Sequence, residues 1–237
     1  MWYNISIMQR KTEFAIDEYY HLYNRGVDKR IIFNDQNDYR RFLVLLYLSN
    51  SKQEVRLGDR FQRKSTLSDS FREEVSGELV SIGGYCLMPN HFHLLVREKV
   101  ENGISTFMKK LLTGYSMYFN KKYERTGTLF EGRFKAVHVN NDRYLEYLFS
   151  YLHLNPVKLI DSHWRDNKFF EKTKAKDFLG GYRYSSYQFY CGQKRPENKI
   201  LDSKNFPKYF SGKNDFKSFI DNWLSFSEIE REEYGGF

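Results

Sequence analysis

The chain has 237 residues, enough for one substantial domain with an appendage, and its two cysteines, Cys86 and Cys191, supply neither a disulfide framework nor a Cys-x-x-Cys zinc spacing. The 38 Lys and Arg against 30 Asp and Glu give a formal charge of +8, and 18% of residues are aromatic. That pairing favours a nucleic-acid partner over a small-molecule substrate, because basic groups neutralise phosphates and aromatic faces stack on unpaired bases. The first residues, Met1 to Met8, are too short an apolar run for a signal peptide, and no segment approaches membrane-spanning length, so a cytoplasmic protein without a membrane partner is expected, nucleoid-associated if bacterial.

In chain order, Tyr19–Arg25 reads as a first strand rich in aromatics, ended by Gly26. Asn34 is placed to cap a helix in which Tyr39, Phe42, Leu43, Leu46 and Tyr47 keep helical spacing to about Asn50. Residues 51–78 hold six basic and six acidic side chains, several serines and few aliphatics, which predicts an exposed insertion with at most a short helix. Leu79–Leu87 predicts a buried strand whose glycines, Gly83 and Gly84, mark a bulge or a close backbone approach. Pro89-Asn90 turns the chain into a partner strand from His91 to Arg97.

Ile104, Phe107, Met108, Leu111, Leu112, Tyr115, Tyr118 and Phe119 then define a helix with Lys109, Lys110, Lys121 and Lys122 off its apolar stripe. From Lys109 to Lys135 seven basic residues face two acidic ones, so most of the net charge sits here. A fourth strand is predicted over Leu129–Val139, with Arg133 and Lys135 on one side. Asn140 or Asn141 caps a last helix through Tyr144, Tyr147, Leu148, Tyr151, Leu152 and Asn155, stopped by Pro156. The order of elements matches an α+β, ferredoxin-like or split βαβ sandwich, a four-stranded antiparallel sheet with helices on one face and the other open to a partner. Residues 1–160 would form this domain and 161–237 a mostly irregular extension with an amphipathic helix around Phe216–Leu224 and an acidic end, Glu228 to Glu233. There is no internal repeat.

Chemistry enters at His91-Phe92-His93. Alternation along a strand sends both imidazoles to one side, where two such nitrogens can converge on one metal ion. On spacing alone a surface pair of hydrogen-bonded histidines is an equal reading. Tyr151 and Asn155, four apart on a later helix, share a face and could add a nucleophile and an oxygen ligand, although Tyr144, Tyr147 and Tyr151 also suit a core stripe.

The segments Met88–Leu95, Gly132–Lys135 and Tyr151–Lys158, with Tyr20–Gly26 and Tyr184–Tyr187, together resemble the single-tyrosine HUH transposases, in particular the REP-associated tyrosine transposase branch. The resemblance spans most of residues 19–190. It implies that Tyr151 is the nucleophile and that His91, His93 and Asn155 hold Mg2+ or Mn2+. It further implies nicking and joining of hairpin-forming single-stranded DNA through a 5′-phosphotyrosine intermediate. Arg25, Arg133, Lys135 and the lysines of the basic helix, Lys109, Lys110, Lys121 and Lys122, would follow the DNA backbone. Relatives differ in oligomeric state, and some exchange the tyrosine helix within a homodimer. The rival is a non-catalytic nucleic-acid-binding module on the same fold. A histidine-based nucleotide hydrolase fits worse, because Leu95 stands where a third alternate histidine would be.

Overall fold

In the computed structural model, residues 13–53, 69–72, 74–165 and 170–225 are described. The N-terminal run, most of the insertion and the acidic end lie outside them. Strand β1 (Tyr19–Arg25) is followed by helix α1 (Gln36–Leu48), the hairpin β2 (Val80–Met88) and β3 (His91–Glu98), helix α2 (Gly103–Lys122), β4 (Lys135–Val139) and helix α3 (Asp142–Leu154). The strands form one antiparallel sheet in the order β2-β3-β1-β4, which is the ferredoxin-like arrangement expected from the sequence.

The alternation of each strand divides the sheet into two faces. On one, Leu22, Phe92, Leu94 and Val96 meet Phe42 and Leu46 of α1 and Phe107, Leu111 and Tyr115 of α2 in a continuous core. Asp35, not Asn34, caps α1: its carboxylate accepts from the backbone of Asn37 and Asp38, while the Asp38 side chain returns a bond to Asp35. Asp38 is fully buried, and it also accepts from Tyr118, Tyr123 and Lys122 of the α2 region, so α1 and α2 are tied together at that end.

The second face is not left open. Leu95, Cys86 and Val139 pack against Leu145, Leu148 and Leu152 of α3, and the same core takes in Trp164, Tyr187, Phe206, Phe216 and Trp223. Three further helices, α4 (Lys172–Gly181), α5 (Tyr187–Tyr190) and α6 (Lys213–Ser225), belong to this layer. The Tyr184–Ser186 stretch runs along β2, with Leu87 N donating to Tyr184 O and Ser186 N donating to Tyr85 O. Both readings of the glycines in β2 hold: the register shifts between Ile82 and Gly84, and a Cβ on Gly83 would lie 2.6 Å from the Phe206 ring.

Two further expectations need correction. The fourth strand is shorter than Leu129–Val139 because Gly132 takes φ +67°, which breaks the extended run; Phe130 forms an isolated bridge to Gly26, and Arg133 precedes the strand. Part of the insertion is anchored, since Phe71, in a short 3-10 turn (Asp69–Arg72), is buried against Tyr47.

Candidate active site on the second sheet face

Three elements bring the site together. In β3, His91 and His93 face the second side of the sheet, as Arg25 and Tyr23 opposite them in β1 do. Two residues separate helix α3 from β4, and the second of them, Asn141, caps it, its side chain accepting from Tyr144 N at 2.7 Å. Its last turns then carry Tyr151 over the histidines, with the phenol ring 5.2 Å from the His93 ring, edge to face. Asn155 closes the helix: its backbone N–H donates to Tyr151 O, so the two side chains stand one turn apart on the same face.

The imidazoles are prepared for coordination. Asn90 Oδ1 lies 2.6 Å from His91 Nδ1, and a carboxamide oxygen only accepts, so Nδ1 carries the proton and Nε2 keeps its lone pair. His93 Nδ1 is 2.8 Å from Nε2 of a third histidine, His21 of β1. With the proton on His93 Nδ1, its Nε2 is likewise free to bind. Burial lowers the His21 pKa to about 3. Burial with the nearby charges of Lys158 and Arg25 lowers that of His91 to about 4, and burial followed by the neighbouring His21, His91 and Lys158 holds His93 well below its usual value. All three are neutral at pH 7, the form that a metal takes.

Asn155 is 3% exposed; its carboxamide interacts with His91 and Tyr151, but neither Oδ1 nor Nδ2 makes a hydrogen bond of full geometry. A buried carboxamide without full hydrogen bonds costs free energy unless something pairs with it, and a cation would satisfy the oxygen. The donor set of two imidazoles and one amide oxygen therefore fits a divalent ion. Among the described residues no group of three or more His, Cys, Asp or Glu side chains has that capacity. Cys86 sits opposite His93 in β2, but burial pushes its thiol up, so it fills the core as a neutral group. Burial raises the Tyr151 phenol above its usual value, opposed by Asn155 and the charge of Arg165.

Residues 45–155 match the model of a family described as transposase IS200-like. Over that segment the chain is similar to the IS200-like transposases. The match contains His91, His93, Tyr151 and Asn155 and begins after β1. Among solved structures, the chain is similar to a REP-associated tyrosine transposase bound to a REP hairpin, with 10% identity, 86% of this chain and 91% of that chain covered, and a TM-score of 0.49. It is also similar to the tRNA(His) guanylyltransferase of Saccharomyces cerevisiae, with 9% identity, coverage of 94% and 84%, and a TM-score of 0.34. No curated protein matches the chain.

The residues singled out from the sequence divide in the structure. Arg25 and Lys135 line the cavity that holds His91, His93 and Tyr151, and Arg25 is paired with Glu131 at 2.8 Å. Arg133 is exposed just before β4 and does not line it. Lys109, Lys110, Lys121 and Lys122 belong to α2, on the opposite side of the sheet from the histidines. Two of them are engaged there: Lys110 donates to Ser51 O and Gln53 O, and Lys122 bridges Asp35 and Asp38. Two residues escaped sequence reasoning. His21 is a lone histidine in a tyrosine-rich strand, detectable only by pairing β1 with β3. Lys158 places its ammonium 5.7 Å from the Tyr151 ring centre, and its signal was the short distance past Pro156.

Proposed function

We propose that the protein is a metal-dependent single-stranded DNA transesterase that nicks and rejoins hairpin-associated sites in the manner of a transposase. The observation that carries this reading is the convergence of Tyr151, His91, His93 and the Asn155 carboxamide, which lacks a full hydrogen bond, on one sheet face. His91 and His93 through Nε2 and Asn155 through Oδ1 would hold Mg2+ or Mn2+, which when bound polarises the scissile phosphate. Arg25 and Lys135 draw the phosphate into the cavity beside the histidines.

Tyr151 attacks phosphorus through its phenolic oxygen and loses its proton. The bond from phosphorus to the 3′ oxygen breaks, that oxygen takes up a proton, and the products are a 5′-phosphotyrosine and a free 3′-hydroxyl. Attack by another 3′-hydroxyl on the phosphotyrosine joins new ends and restores the phenol without ATP, because the link conserves the phosphodiester energy. Residues 1–160, with the insertion at 51–78, would form the catalytic unit and 161–237 its extension. The protein would act in the cytoplasm, and a homodimer is compatible with it.

The test is incubation with single-stranded hairpin oligonucleotides and Mg2+ or Mn2+, followed by a denaturing gel. A covalent protein–DNA adduct that needs the metal and vanishes in Tyr151→Phe is the expected result. An adduct that persists in that variant makes another residue the nucleophile. DNA binding with no adduct under any condition favours a binding module.

A further inference from the structure

Two cavities adjoin Tyr151, and they differ in chemistry. One, of about 310 Å³, is lined by charged and polar groups including Arg25, His91, Glu131 and Lys135. The other, of about 240 Å³, carries no formal charge on its walls: His21, Tyr23 and Val137 come from the sheet, and Tyr144, Tyr147 and Tyr151 from α3. Tyr23, His93 and Tyr151 line both, so the two open onto the same phenol.

The uncharged cavity is walled by rings. Along α3, Tyr144 and Tyr147 are 6.2 Å apart at 17°, and Tyr147 and Tyr151 are 6.0 Å apart at 29°. His21 and Tyr23, 5.0 Å apart at 31°, form the wall on the strand. Spacing alone reads the three tyrosines as a core stripe. Tyr144 and Tyr147 do pack in one core with Leu145, Leu148 and Leu152, but all three tyrosines, with Leu148, also border the cavity.

A nucleotide has the same division as the two cavities, a charged phosphate joined to a flat ring with apolar faces. We propose that the aromatic cavity is a nucleobase pocket, which holds the base next to the scissile phosphate between the rings of β1 and those of α3. The proposal rests on the transesterase reading above. The volume lies below the ~300–1,000 Å³ of sites for drug-sized ligands, which suits one planar ring system. Withdrawing the base from its neighbours fixes which phosphate stands before Tyr151, so the pocket determines the cleavage position, as extruded bases do in other enzymes acting on nucleic acids.

The experiment uses the full chain carrying Tyr151→Phe, which separates binding from chemistry. Hairpin oligonucleotides carry 2-aminopurine, or an abasic residue, at one unpaired position at a time. One position beside the cleaved phosphate should show quenched fluorescence, and an abasic residue there should weaken binding by roughly 5- to 150-fold. Adding Val137→Trp, which fills the cavity, should abolish the quenching; Tyr144→Phe, which keeps the ring, should preserve it. Thermal melting of each variant confirms that it is folded. Equal binding by every abasic substrate, or quenching that survives Val137→Trp, overturns the pocket. With the unmodified protein, adduct formation indifferent to abasic residues would leave the transesterase standing without the pocket. Position-specific quenching with no adduct would leave the pocket and remove the nucleophile.

Discussion

At the scale of single residues, the site depends on which nitrogen of each histidine holds a proton. Asn90 settles this for His91, and for His93 the partner of Nδ1 is His21 of a neighbouring strand. Groups that orient a ligand in this way commonly contribute 10- to 100-fold to metal affinity. Replacing His21 by Phe keeps a ring in the space and removes the partner of Nδ1. Mn2+ affinity, measured by calorimetry on the folded variant, should fall by about that factor, with the far-UV circular dichroism unchanged. Asn155→Ala should also weaken Mn2+ binding, and its loss of a buried amide without full hydrogen bonds predicts a fold no less stable than the parent, read from its urea midpoint. The shared face of His91 and His93, and that of Tyr151 and Asn155, were legible because alternation and helical spacing fix faces within one element. His21 was not, because its role exists only across two strands.

At the scale of elements, α2 shows why a run of lysines is an ambiguous sign. Its charge lies on the far side of the sheet from Tyr151, and part of it serves the fold: Lys122 answers Asp38, a carboxylate with no exposure to solvent. Lys122→Ala should therefore destabilise the protein by about 1–3 kcal/mol in chemical denaturation, with little effect on single-strand affinity at the catalytic face. Lys135→Ala should do the reverse, weakening binding across sequences and reducing the salt slope by about one. Strands β1, β2 and β3 were readable from their aromatic and apolar runs and from the break at Pro89-Asn90. The start of β4 was not, since a glycine in a strand-like run does not announce a positive φ. Nor does any local pattern reveal that an acid in the first turn of α1 will be buried among two tyrosines and a lysine.

At the scale of the whole molecule, the two cores make the fold dependent on neutral histidines. Burial lowers His21 to about 3 and His153 to about 4, burial with Lys158 and Arg25 takes His91 to about 4, and His93 lies well below its usual value. The unfolded chain takes up these protons near pH 6.5, whereas the folded chain resists them. Stability is thus fully present above about pH 6.5 and is lost as pH falls towards 4, by up to about 1.4 kcal/mol per pH unit for each histidine. Urea midpoints at pH 7.5 and pH 5 should differ accordingly. The second core, which joins residues of the sheet, α3 and the chain beyond 160, was not foreseeable from periodicity, because its aromatic residues are scattered over short elements.

The hold on α3 limits how two copies could cooperate. Two residues link it to β4, His153 Nε2 meets Ser186 Oγ at 2.8 Å, and Trp223 packs against Tyr147 at 5.7 Å. On the transesterase reading, a phenol so tethered would serve the histidines of its own chain. Mixing a Tyr151→Phe protein with a His91→Ala protein should restore no adduct, since neither chain can lend the other its missing half, and adduct formation should be first order in protein. Activity regained on mixing would show that the helix crosses between copies.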